Sequence, residues 1–310
     1  MILRVGSRPS PLALAQSEIA TRAIRTAAAS NGIECDVRVV PVATTGDRVT
    51  DRPFRAMGAK GIFTSELQRA VDSGEVDAAV HSLKDLAATE PPGLVVAAVP
   101  AREDSRDVLV CPRFGRLEDV PPGSVVGTSS IRRVAQLGCL RPDLRTAMLR
   151  GNVGTRIAKV DAGEVDAAIL AGAGLIRLGL RDRITQWLDP HDFVPAPGQG
   201  AIAIETAAGR LAGDLAWIAA ADHAATRREV TAERACMAEL EGGCTVALGV
   251  RAWIHDVQLH CSAFISSGDG KRALRASASG PSDRAAGVGL EVARALLEAG
   301  AAQLRGELRG

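Results

Sequence analysis

Gly74-Glu75-Val76-Asp77-Ala78-Ala79 recurs letter for letter as Gly163-Glu164-Val165-Asp166-Ala167-Ala168, 89 residues further on (163 − 74). Each copy runs into an apolar residue, Val80 or Ile169. A glycine, two acids and a short apolar run read as a helix end, a turn and a buried strand. The flanking segments match in kind. Leu3-Arg4-Val5-Gly6-Ser7 and Ser124-Val125-Val126-Gly127-Thr128 are both short apolar strands that enter a loop of small residues and then a helix. The repeat therefore predicts two similar α/β lobes, and two lobes make a cleft of the kind in which small ligands bind.

Outward from the repeat, the first lobe has strands at 2–5, 36–42, 76–80 and 94–99, with helices from Pro11 and over 62–73. Most of residues 44–61, polar and aperiodic, reads as a mobile loop, of the kind that is often a lid or disordered. The second lobe has strands at 124–126, 146–149 and 165–170, with helices at 130–139 and 153–162. The apolar strand from Ala201 to Glu205 is expected to return to the first lobe, so that two crossovers act as a hinge. A third, α+β part follows, with helix 227–240, strands 247–254, 257–264 and 272–278, and helix 288–303. The resulting division is 1–100 plus 200–220, then 101–199, then 221–310.

The 310 residues are 46% hydrophobic and 24% charged with a formal net charge of +1, which gives no basic field for nucleic acid or membrane. Four of the 37 cations are lysines, so 33 are arginines, the better planar partners of carboxylate and phosphate. The six cysteines form no C-x-x-C, and no zinc spacing appears. No metal is expected. Met1 leads straight into a strand, and no apolar run is long enough to span a bilayer. A cytoplasmic protein with reduced thiols is expected.

The loops at strand ends, where open α/β sheets bind ligands, collect hydroxyls and cations. They are Ser7, Arg8 and Ser10; His81 to Asp85; Thr128 to Arg133; Arg150 to Arg156; and, beyond 165–170, Arg177. Singly, these arginines read equally as solvated faces or helix caps. As a set they predict a cleft for a polyanion. Asp85 beside Lys84 is, on the residues alone, most simply a cap or an ion pair; a carboxylate there could also hold ligand N–H groups and steady positive charge. Cys244, in Glu241-Gly242-Gly243-Cys244, lies on an open loop suited to a modified thiol, although an inert turn cysteine is the plainer reading.

Seven motifs in series then resemble the porphobilinogen deaminase (hydroxymethylbilane synthase) family. They are Ser7-Arg8-Pro9-Ser10-Pro11-Leu12-Ala13-Leu14, Gly61-Ile62-Phe63, His81-Ser82-Leu83-Lys84-Asp85, Gly127-Thr128-Ser129-Ser130-Ile131-Arg132-Arg133, Leu149-Arg150-Gly151-Asn152-Val153-Gly154-Thr155-Arg156, Pro197-Gly198-Gln199-Gly200 and Glu241-Gly242-Gly243-Cys244. The resemblance implies two periplasmic-binding-protein-like α/β lobes and a small α+β domain carrying the cofactor cysteine. It implies a dipyrromethane joined by a thioether to Cys244, to which four porphobilinogens add with loss of ammonia before hydrolysis releases hydroxymethylbilane. A monomer is expected. On the same basis Asp85 is catalytic. Cys244, Lys84, Asp85, Thr128, Ser129, Ser130, Arg132, Arg133 and Arg156 are implied to bind the cofactor. Arg8, Ser10, Phe63, Arg150, Arg156, Arg177 and Gln199 are implied to bind the substrate. Ala87, Ala59 and Ser65 depart from the family pattern without removing an acid, thiol or arginine. The rivals are a solute-binding protein, which has the same lobes but lacks the cysteine domain, and a regulator's effector domain, for which no DNA-binding motif appears.

Overall fold

In a computed structural model, the structure describes residues 1–44, 64–240 and 247–307. The expected mobile loop at 44–61, except for Thr44, lies outside the described residues, as do Lys60, Phe63 and Cys244.

In chain order the first elements are β1 (Ile2–Ser7), α1 (Pro11–Ser30), β2 (Asp36–Pro41), α2 (Ser65–Asp72), β3 (Ala78–Ser82) and β4 (Leu94–Ala98). Next come β5 (Asp107–Val110), β6 (Val125–Gly127), α3 (Ile131–Leu140), β7 (Arg145–Ala147), α4 (Val153–Asp161), β8 (Ala167–Ala171), α5 (Gly172–Arg177) and β9 (Gln186–Trp187). The remainder are β10 (Ile202–Ala207), α6 (Ala208–Leu211), α7 (Ala224–Leu240), β11 (Ala247–His255), β12 (Gln258–Ser266), β13 (Ala273–Pro281), α8 (Ala285–Glu298) and α9 (Ala301–Glu307). They fall into two compact units, Met1–Glu103 with Ala201–Arg227, and Asp104–Gly200 with Arg228–Gly310.

The first unit holds a sheet of order β2-β1-β3-β10-β4, in which β1 is parallel to β2 and β3 while β10 runs antiparallel to β3 and β4. Side chains alternate across its faces. Leu3, Val5, Ala78 and Val80 meet Ala20, Ile24 and Ala27 of α1, whereas Ala79 meets Leu67, Ala70 and Val71 of α2. The strand at 201–205 thus joins this sheet as β10, as expected.

The second unit repeats the plan. Its sheet has order β7-β6-β8-β5-β9, with β6 parallel to β7 and β8 and with β5 antiparallel to β8 and β9. The repeated hexapeptide performs one task in both sheets. Arg4 N–H donates to the Asp77 carboxylate at 2.7 Å and Asp77 N–H returns a bond to Arg4 carbonyl. Likewise Val125 N–H donates to Asp166 at 2.8 Å and Asp166 N–H bonds Val125 carbonyl. Each aspartate engages the neighbouring strand through its side chain just ahead of the ladder, so pairing begins one residue later, at Ala78 and Ala167. This corrects the expected strands 76–80 and 165–170 to β3 at 78–82 and β8 at 167–171. The strand expected at 146–149 is β7 at 145–147.

The remainder of this unit is a β11-β12-β13 antiparallel sheet. One face packs Val250, Ala252, Leu259, Cys261 and Ala263 against Ala232 and Cys236 of α7 and Val288 and Val292 of α8. From the other face Phe264 packs on Ala135 and Val194. The helix expected over 288–303 is broken, with Gly300 at φ +100° between α8 and α9. Strands β5 and β9 are new; at four and two residues they carry no readable period.

Candidate functional site: a braced arginine cluster

In the first unit, Ser10 is the N-cap of α1, its Oγ accepting from Ala13 N–H at 3.3 Å, with Pro11 supplying the preset first turn. Arg8 precedes it, half-buried. Lys84 and Asp85 occupy a 3-10 turn, Leu83–Asp85. Leu83 and Leu86 are buried on either side, and Leu83 N–H is bonded to Ala201 carbonyl, so the two charged residues between them are turned outward and exposed. The exposed carboxylate therefore stands on a fixed turn. His81, counted by sequence with the strand-end loop, is instead buried on β3, its Nε2 3.1 Å from Glu205 Oε2, which makes it a residue of the sheet interior.

In the second unit, α3 and α4 start just beyond β6 and β7. Ser130 and Asn152 cap them, accepting from Arg133 N–H at 3.5 Å and Thr155 N–H at 2.8 Å. Thr128 Oγ1 accepts from Ser130 N–H, and Ser129 Oγ donates to Leu149 carbonyl at 2.6 Å. These hydroxyls hold the loop's shape, and the loop opens onto the electropositive start of α3.

Arg132 and Arg133 do not behave as solvated surface residues. Both are buried, at 5% and 6% exposure, and converge on Asp107, which is fully enclosed at the first position of β5. Arg132 Nη1 donates to Asp107 Oδ2 at 2.6 Å and to Val194 carbonyl at 2.7 Å. Arg133 donates from Nε and Nη2 to Asp107 Oδ1, at 3.1 and 2.7 Å, and from Nη1 to Ile169 carbonyl. Gln199 Nε2 adds a bond to the same carboxylate at 2.9 Å and one to Ser105 carbonyl. Burial alone would raise the Asp107 pKa, but the charges of Arg132 and Arg133 and the hydrogen bonds outweigh it and hold the group well below the usual carboxylate range.

Arg156 is positioned by a bond from Nε to Gly151 carbonyl at 2.9 Å. Its pKa is pushed down to about 10, first by burial and then by the like charges of Arg133 and Arg150. Arginine seldom shifts so far, and a site that strains a guanidinium in this way favours an anion. Arg150 Nε rests on Met148 Sδ at 3.2 Å. Arg177 is reached through α5 rather than from the strand end directly, and its Nη2 donates to Gly200 carbonyl at 2.6 Å.

The structure thus brings together Thr128, Ser129, Ser130, Arg132, Arg133, Arg150, Arg156 and Gln199 around one sheet edge of the second unit, while Arg8, Ser10, Lys84 and Asp85 belong to the first. Sequence reasoning missed Asp107. The available signal was an acid opening the run Asp107-Val108-Leu109-Val110, since a charge beside an apolar run is a candidate buried partner. It also missed Glu233, which is fully buried on α7. Among the described residues no cluster of three or more His, Cys, Asp or Glu could hold a metal, and no helix is long and apolar enough to cross a membrane.

Fold and site together define a protein of two α/β lobes of one topology, one of which carries an arginine cluster braced on a buried aspartate. The family model for "Porphobilinogen deaminase, dipyromethane cofactor binding domain" matches residues 3–212, and that for "Porphobilinogen deaminase, C-terminal domain" matches 227–298. The chain belongs to the porphobilinogen deaminase family. It is 43% identical to the porphobilinogen deaminase of Caulobacter sp. (strain K31), covering 95% of each chain. It is 48% identical to that of Chromobacterium violaceum, covering 86% of each. Among solved structures it is similar in fold to the methionine binding protein MetQ (14% identity, TM-score 0.44, covering 71% of this chain and 89% of that one). It is similar also to a TRAP periplasmic solute binding protein from Pseudomonas aeruginosa (12% identity, TM-score 0.41, covering 71% and 82%).

Proposed function

We propose that this chain is a transferase of tetrapyrrole biosynthesis. It joins four porphobilinogen molecules head to tail, with loss of ammonia from each, onto a dipyrromethane carried by Cys244 through a thioether, and hydrolysis releases hydroxymethylbilane. The observation that supports it best is geometric: two buried guanidinium groups, Arg132 and Arg133, converge on Asp107, and the like charges of Arg150 and Arg156 crowd the same sheet edge. Each pyrrole of the cofactor and of the substrate bears an acetate and a propionate, and such a polyanion relieves that crowding. The donor set therefore fits the group. When bound, the dipyrromethane supplies the free pyrrole carbon at which elongation begins.

The roles of the chain's own residues follow from their chemistry. Arg132, Arg133 and Arg156, with Lys84 and the Thr128–Ser130 loop, hold cofactor carboxylates by charge-assisted bonds. Arg8, Ser10, Arg150, Arg156, Arg177 and Gln199, with Phe63, serve the incoming substrate. Asp85, on its pinned turn, accepts pyrrole N–H bonds and stabilises the positive charge that appears on the substrate as ammonia departs. The protein acts as a cytoplasmic monomer and needs neither metal nor nucleic acid.

Intact-mass measurement of the purified protein tests this reading. An adduct of two condensed pyrroles is expected on the wild type and absent from Cys244→Ser. Asp85→Asn is expected to keep the adduct and lose more than 99% of turnover. An unmodified wild-type chain would overturn the reading, and near-normal turnover by Asp85→Asn would remove the role of that carboxylate.

A further inference from the structure

Two arginines in the first turn of a helix carry the wrong charge for its dipole, and two adjacent buried guanidinium groups repel each other. Something must turn Arg132 and Arg133 inward, and the described residues include one carboxylate bonded to both, Asp107. Its two oxygens are used differently. Oδ1 takes two donors from Arg133 and one from Gln199, while Oδ2 takes Nη1 of Arg132. Three of the five N–H donors of Arg133 are spent, Nε and Nη2 on Asp107 and Nη1 on Ile169 carbonyl, which leaves one on each Nη. The hydrogen bonds of Arg132 among the described residues all use Nη1. Its Nε and Nη2 form the remaining edge of the fork, which is the edge that binds a carboxylate through two parallel bonds.

We propose that Asp107 is a positioning residue. It locks Nη1 of Arg132, with Arg133 as a brace, so that the Nε/Nη2 edge of Arg132 is aimed at a carboxylate of the cofactor. The aim is maintained from the C-terminal segment. Glu233 Oε2 accepts Gly198 N–H at 2.6 Å and its Oε1 accepts Ala252 N–H at 2.8 Å. Val250 N–H bonds Pro195 carbonyl. These bonds fix the turn at 194–199, which supplies both the Val194 carbonyl to Arg132 and the Gln199 amide to Asp107. The elements tied by Glu233, α7 and β11, are those that flank the segment of Cys244. This inference rests on the function proposed above and adds which arginine presents an open fork and what aims it.

The test uses holoenzyme of wild type, Asp107→Glu, Asp107→Asn and Glu233→Gln, each purified identically. Asp107→Glu keeps the charge and moves the carboxylate by about one C–C bond, and a misplacement of about 1 Å is enough to lose a large part of an oriented interaction. Its cofactor-loaded fraction, read by intact mass, is expected to fall at least fivefold, and KM for porphobilinogen in the loaded fraction to rise about tenfold, with kcat changed less than threefold. Asp107→Asn is expected to show the same split, more strongly. A purely structural carboxylate would lower the melting temperature of the variants and leave KM of the loaded, folded fraction alone, and that result overturns the proposal. If neither Asp107 variant folds, Glu233→Gln decides: a KM raised about threefold supports positioning through the turn, and wild-type loading and KM overturn it. A wild-type protein without adduct counts against the proposed function instead.

Discussion

Arg156 has to carry its charge next to Arg133 and Arg150, and its proton is bound less tightly in the folded chain than in the unfolded one. The linkage has a definite sign. The folded pKa is the lower of the two, so the cost of keeping this arginine charged is complete below about 10 and is relieved as the pH rises from there toward the ordinary arginine value. An anion at the site acts in the opposite sense, since it favours the charged form. Arg156→Gln is therefore expected to melt no lower than the wild type while KM for porphobilinogen rises about tenfold, the trade between stability and function common at binding sites. In the wild type, KM should climb as the pH passes about 10. A steady-state pH series beside thermal melts checks both, and a flat KM through that window would separate Arg156 from substrate binding.

At the scale of elements, the two copies of the hexapeptide hold equivalent turns. Gly74 and Gly163 both have φ +73°, and a Cβ added to either meets nothing within 4 Å. The cost of alanine is then backbone strain alone, about 1 kcal/mol at each site, and equal in the two lobes. Gly127 differs. A Cβ there lies 2.8 Å from Leu149 Cδ2 and 3.1 Å from Val165 Cγ2, so Gly127→Ala adds overpacking of about 1–3 kcal/mol. Denaturant midpoints of the three variants test this order. The same elements explain what was legible beforehand. The repeat and its flanking apolar runs announce two like lobes because a buried parallel strand needs an unbroken apolar run and a glycine turn before it. The aspartate's bond to the next strand is tertiary, which is why the strand starts were misplaced. For the site, Arg132 and Arg133 were visible as cations in a strand-end loop, but their burial was not. The acid that buries them lies 25 residues upstream of Arg132, on a strand of four residues with no period to betray it.

At the scale of the whole molecule, the chain is interleaved. One compact unit is Met1–Glu103 with Ala201–Arg227, and the other is Asp104–Gly200 with Arg228–Gly310. The first family model, residues 3–212, accordingly takes in every strand of the first sheet but only part of the second unit. A chain ended at residue 227 keeps β10 between β3 and β4. In the other unit it strips the buried Gly198 N–H of Glu233, the Pro195 carbonyl of Val250 and the Ala135–Val194 pair of Phe264. An orphaned buried donor costs about 1–3 kcal/mol, and loss of a buried phenylalanine about 3–5 kcal/mol. Together these approach the whole stability of an ordinary domain, about 5–15 kcal/mol. Hydrogen exchange on the 1–227 fragment should therefore find β3, β4 and β10 protected much as in the full chain, while α3 and the turn at 194–199 exchange at least a hundredfold faster than they do there. Equal protection in both sets of peptides would mean that residues 104–200 hold their own fold, and that the C-terminal segment is an appendage rather than part of the unit that carries the arginines.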